Sequence, residues 1–160
     1  MAIDLPFEEG DWVDSQTWSK AFGVSPYRGI TPSNKYKLIV CISVAESEGV
    51  PYQDKWYHRS EWDGVAYTGE GLKGDMTLTK GNGRLEKEKS AYFFRKIEGE
   101  NKYLYCGKFI MVEEPGNRNP RVEQQPDVDG KMRNVWIFNM KYAKGRYPEK
   151  LALEMQAFEE

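Results

Sequence analysis

The sequence predicts an α+β domain: a curved sheet or β-barrel with short flanking helices. Three observations carry this. Apolar, β-branched and aromatic runs of strand length recur along the chain. Several are linked by short hairpin-type turns, such as Glu98–Asn101. Only two or three short stretches carry helix signals, so strands and helices do not alternate as a parallel α/β fold requires.

The elements follow in chain order. Residues 1–13 form an acidic lead-in broken by Pro6 and Gly10. A short helix is expected over "DSQTWSKAFG", with Asp14 or Ser15 as N-cap and Gly23 as its stop. "SPYRGITPSN" reads as a loop, and "KYKLIVCISV" as a strand buried on both faces. Glu46 to Gly74 is long, rich in Gly, Trp and Tyr, and irregular apart from the strand "GVAYT". Long irregular loops in compact domains are often functional. "GNGRLEKEKS" suggests a helix after Asn82, with Glu86–Lys89 as its solvated face. "AYFFRKI" and "KYLYCGKFIMVEE" read as strands, and "PGNRNPRVEQQPDVDGKM" as a polar loop. "RNVWIFNMKYA" is the last strand; a helix follows over residues 148–160, with Pro148 near its first turn.

The 160 residues suffice for one domain with a core. Aromatic residues reach 14%, including ten tyrosines and five tryptophans. Such rings fill cores and also provide stacking platforms. The net charge of −2 and pI near 5.6 argue against a nonspecific DNA coater, while leaving room for a reader with a local basic patch. Cys41 and Cys106 lie in apolar runs and read as reduced core residues; with His58 as the single histidine, a zinc site is not expected. No run has membrane-spanning length and Met1 opens no signal peptide, so a cytoplasmic location is expected.

Gly69, Gly71 and Gly74 have the G-x-G-x-x-G spacing of a dinucleotide loop. That motif requires a helix opening at the glycines, inside a βαβ unit. "DMTLTKGNG" makes a poor first helical turn, so no nucleotide cofactor is expected. Glycine also allows close backbone approach to a ligand. With Tyr67 and Thr68 just ahead, these glycines suit a pocket for a flat ring.

Seven segments, in order, carry a family resemblance: "SPYRGI", "KYKLIVCIS", "PYQD", "YTGEG", "GDMTLTKGNGRL", "YLYCGKFIMVE" and "PDVDGKMRNVWIFNM". Over Trp18 to Tyr142 the chain resembles the SRA (SET- and RING-associated) domain. It looks most like the reader modules of bacterial modification-dependent restriction endonucleases of McrA-like, His-Asn-His type. The resemblance implies a curved β-barrel related to the PUA fold. It also implies double-stranded DNA carrying a modified cytosine (5-methyl or 5-hydroxymethyl) as the partner, with the base flipped out of the stack.

By the same resemblance, Tyr52 and Tyr67 would sandwich the base, and Trp56 stands beside them as a further stacking ring. Asp54 would accept from the cytosine amine, helped by Thr68 on the same polar edge; a carboxylate repels thymine O4. Gly69 and Gly71 would let the loop backbone approach the base. Arg28, Lys73, Lys80, Asn82 and Arg84 are the candidates for DNA-backbone contacts. Only Leu72, Lys73 and Gly74 occupy the place of the longer finger of eukaryotic members. Each residue also has a plainer reading: packing ring, turn former or solvated charge.

Catalysis is not expected. A His-Asn-His nuclease needs several histidines, and Asp127 and Asp129 in "PDVDGK" sit in one turn, not on separate strands. Any nuclease or NTPase activity is expected from a separate domain or subunit. Two rivals stay open: a PUA-like reader of methyladenine or modified RNA, and a small nucleic-acid-modifying enzyme.

Overall fold

The computed structural model describes residues 3–45 and 49–159. Its strands are β1 (Trp12–Val13), β2 (Ile30–Pro32), β3 (Ile39–Ser43), β4 (Lys55–His58), β5 (Asp63–Thr68), β6 (Ser90–Lys96), β7 (Tyr103–Met111), β8 (Arg121–Pro126) and β9 (Met132–Tyr142). The helices are α1 (Ser15–Phe22), α2 (Lys80–Glu88) and α3 (Glu149–Met155), the last running into a 3-10 turn at Gln156–Phe158. One sheet has the order β2-β3-β6-β7-β9-β5-β4, with β1 added on β7 and β8 on β9. Among the described residues, only β3 and β6 pair in parallel.

Local chemistry explains α1. The Asp14 carboxylate accepts from the Thr17 amide at 2.7 Å, and Gly23 ends the helix with its amide donating to Ser19 O. Trp18 and Phe22, four residues apart, are fully buried on one helix face. They pack on Phe94 and Tyr105 from the outer side of the sheet. The inner side gathers Tyr67, Phe93, Phe109, Phe138 and Met140 into the main core. A bulge between Phe93 and Phe94 sharpens the curvature there.

The sheet curves strongly but is not closed as a barrel, which corrects the sequence expectation. Its end strands, β2 and β4, do not pair with each other. β2 is three residues long, its Pro32 has no amide to donate, and α2 packs against it. A methyl group added at Gly81 of α2 would lie 3.0 Å from Ile30 Cβ. The helix packs over the Ile30 side chain at the end of the sheet. Between β3 and β4 the connection is made by side chains. Ser43 Oγ donates to Asp54 Oδ2 at 2.7 Å and accepts from Trp56 Nε1 at 3.0 Å.

Four strands lie where no strand was expected. β1 and β2 are too short to show a pattern. β4 reads "KWYH", and β8 is a largely polar edge strand, "RVEQQP". Neither has the apolar alternation of a half-buried strand. α2 starts at Lys80, with Thr79 as its N-cap, so Asn82 lies inside the helix and not before it.

Candidate nucleic-acid interface

Two cavities flank Tyr52. The first, of about 470 Å³, opens between β3 and β4. Ser43, Tyr52, Asp54, Trp56, Arg95 and Phe158 all line it. The second, of about 570 Å³, lies over the glycine turn and is bordered by Arg28, Tyr52, Gly71, Lys73 and Lys80. Both fall in the range of small-ligand clefts, about 300–1,000 Å³.

Asp54 is the polar centre of the first cavity. Its Oδ1 accepts from the Thr68 amide at 2.8 Å and its Oδ2 from Ser43 Oγ. The Thr68 hydroxyl lies beside the same carboxylate, short of a good hydrogen bond, and is buried without another partner. Burial pushes the Asp54 carboxyl up to about 6; the hydrogen bonds and the Arg95 charge oppose the rise. Two carboxylate oxygens offer about four lone pairs, so accepting capacity remains for a ligand.

The rings are arranged differently from the expected sandwich. Tyr52 lines both cavities, and its phenol oxygen accepts from the Gly71 amide at 2.9 Å. Trp56 lines the first cavity, its ring edge-on to Phe93 and Phe109. Tyr67 is 3% exposed and borders neither cavity. Its ring packs edge-on against Phe93, and its hydroxyl donates to the carbonyls of Gly29 and Ile42. The Tyr52–Tyr67 pair is therefore not assembled around a cavity. Strand alternation is the cause: Val65 and Tyr67 of β5 point into the main core, while Ala66 faces the other side.

The glycine turn is held by Asn82. Its Oδ1 accepts from the Glu70 amide at 2.8 Å, and its Nδ2 donates to the carbonyls of Glu70 and Thr77. Asn82 is buried at the edge of the second cavity, and its side-chain amide fixes the loop. Gly69 is required by this contact, since an added Cβ would fall 2.7 Å from Asn82 Oδ1. Gly71 has φ +135, a conformation that other residues rarely adopt.

The remaining cations are on the surface. Arg28 pairs with Glu70 at 2.9 Å, and Lys73 with Asp129 at 3.0 Å. Lys80, Arg84 and Lys87 lie at i, i+4 and i+7 on α2, one face of the helix. They border a third depression, of about 780 Å³, together with Lys37 and Tyr36. Thr79 and Lys80 are shared with the second cavity, so the three depressions are contiguous. Asp127 and Asp75 have structural partners: Asp127 Oδ1 accepts from the amides of Asp129 and Lys131, and Asp75 Oδ1 from that of Asn134.

Sequence reasoning missed Ser43, Arg95 and Phe158 in the first cavity, and Lys37 and Lys87 beside α2. The basic stripe was readable as a helical period once α2 begins at Lys80. Arg95 and Phe158 carry no local signal, because they reach the site only through sheet curvature and the return of the C-terminal turn.

No curated protein matches the chain. Among solved structures it is similar to the sulfur binding domain and SRA domain of ScoMcrA complexed with phosphorothioated DNA. The identity there is 18% and the TM-score 0.65, over 96% of this chain and 46% of that one. It is similar also to the DNA recognition domain of the cytosine modification-dependent restriction endonuclease LpnPI, at 16% identity and TM-score 0.55, over 78% and 64% of the two chains. The DNA modification-dependent restriction endonuclease AspBHI matches at 12% identity and TM-score 0.57, over 88% and 72%. The chain thus spans less than half of the ScoMcrA fragment. The family model described as "ScoMcrA-like, SRA domain" matches residues 10–158, nearly the whole chain. The chain belongs to the ScoMcrA-like SRA domain family.

Proposed function

We propose that this domain binds double-stranded DNA and reads a modified cytosine extruded from the helix into the Asp54 cavity. The observation that carries the reading is a carboxylate on the wall of an aromatic-lined cavity, with lone pairs to spare. Extrusion costs a few kcal/mol. Stacking on Trp56 or Tyr52 returns about 1–3 kcal/mol per ring contact. Asp54 accepts from the cytosine amine and repels thymine O4. Gly71 keeps the turn close to Tyr52, and Lys80 and Arg84, with Arg28 and Lys73 nearby, meet the DNA backbone. Family membership and the restriction-enzyme neighbours support a role as the recognition module of a modification-dependent system, with strand cleavage supplied by another domain or subunit.

The test is a set of matched duplexes with cytosine, 5-methylcytosine, 5-hydroxymethylcytosine, N6-methyladenine or a phosphorothioate linkage at one position, plus a modified RNA. Tighter binding to a modified-cytosine duplex is expected, with increased fluorescence from 2-aminopurine placed opposite the flipped base. Preference for the phosphorothioate duplex, the methyladenine duplex or the RNA would overturn the reading.

A further inference from the structure

Arg95 projects from β6 into the Asp54 cavity. Its Cζ lies 3.9 Å from the ring centre of Phe158 and 4.9 Å from that of Trp56. Phe158 comes from the turn after α3, far away in sequence, and is held there by stacking on Trp12 at 5.7 Å. Trp12 is in turn fixed to α3 by its Nε1 donating to Glu154 at 2.8 Å. The C-terminal turn therefore builds one wall of the cavity, with Trp56 as another.

A guanidinium lying over ring faces carries its N–H donors sideways, away from the rings. Arg95 Nη1 donates to Met155 Sδ at 3.5 Å, and the guanidinium charge acts on Asp54 across the cavity that both residues line. A single cavity thus offers an acceptor from Asp54 and a flat array of donors from Arg95, which is held against the rings of Trp56 and Phe158. Cytosine presents the complementary edge: an amine that donates, then N3 and O2 that accept. Thymine and uracil present an oxygen where the amine would be and a donor at N3. They would set like against like at both groups.

Resting on the base-reading function above, we propose that Arg95 is a specificity-determining residue, donating to the N3 and O2 edge of the extruded cytosine, with Phe158 as the positioning residue that holds its guanidinium in place.

The experiment measures binding of the full chain to a modified-cytosine duplex and to its unmodified counterpart, for Arg95→Ala, Arg95→Lys, Phe158→Ala and Asp54→Ala. Salt dependence and melting temperature are read alongside. Arg95→Ala and Phe158→Ala are expected to lower the modified-to-unmodified affinity ratio by at least about fivefold, with little change for the unmodified duplex. Arg95→Lys is expected not to restore the ratio, because an ammonium lacks the flat fork. If Arg95→Ala weakens both duplexes equally and flattens the salt dependence, or if Lys substitutes fully, Arg95 is a phosphate contact and the proposal fails. If Asp54→Ala lowers the ratio and the Arg95 and Phe158 variants do not, the proposal fails while the function stands. If Asp54→Ala also leaves the ratio intact, the pocket reading itself falls. Should Arg95→Ala not fold, Arg95→Lys and Phe158→Ala decide the matter by the same ratio.

Discussion

Asp54 shows how one side chain can favour function over stability. Its folded carboxyl titrates near 6, above the ordinary 3.8, because burial disfavours the charge. Its contribution to stability is therefore full below about pH 4 and is lost as pH rises through 6. The complete shift corresponds to about 3 kcal/mol, and partial access to the cavity reduces it. Asp54→Asn is expected to raise stability at pH 7 by about 1–2 kcal/mol, with no gain at pH 4. Denaturant titrations at both pH values check this. On the proposed function, the same substitution should lower any preference for a modified-cytosine duplex. Binding by the parent should weaken as pH falls through 6, since the neutral acid is a poorer acceptor. Asp54, Thr68 and Trp56 were legible as residues that come together at one place. Tyr67 was not legible as a core residue: its motif is the same whether β5 turns the ring inward or outward, and packing against Phe93 decides.

Among the elements, the glycine turn and α2 behave as one unit joined by Asn82. Removing that amide leaves two carbonyls and one buried amide unpartnered. Asn82→Ala should cost about 2–3 kcal/mol, seen as a lower melting temperature. It should weaken binding without changing its salt dependence. Lys80→Ala and Arg84→Ala should do the reverse. Each is expected to reduce the slope of log affinity against log salt by about 0.9 while stability stays within about 0.5 kcal/mol. An assay of melting and anisotropy on all three variants separates the two behaviours. Sequence patterning located α1 with its cap, β3, β5 to β7, β9 and the C-terminal helix. It passed over β4 and β8, because edge strands with polar exposed faces bury too little to need alternation.

For the whole molecule, a net charge of −2 conceals a local cationic face made by Lys37, Lys80, Arg84 and Lys87. Binding to duplex DNA should therefore depend on salt despite the acidic pI, with a slope of about −2 to −4. A flat dependence between low and moderate salt would remove the α2 face from the interface. The fold class was legible in strand count and helix shortness. Closure was not, because it depends on whether the end strands β2 and β4 meet, and no local pattern records that.

The line between β3 and β4, fastened by Ser43, Asp54 and Trp56, has a mechanical consequence. A curved sheet laced along one side by side chains can be unlaced there without breaking a backbone ladder. The eyelet is the Asp54 carboxylate, which also restrains the Thr68 amide. In Asp54→Ala that amide should exchange with solvent deuterium far faster than in the parent, while amides in the β6–β7 ladder keep their protection. On the proposed function, a nucleobase enters along this same side-chain-fastened line.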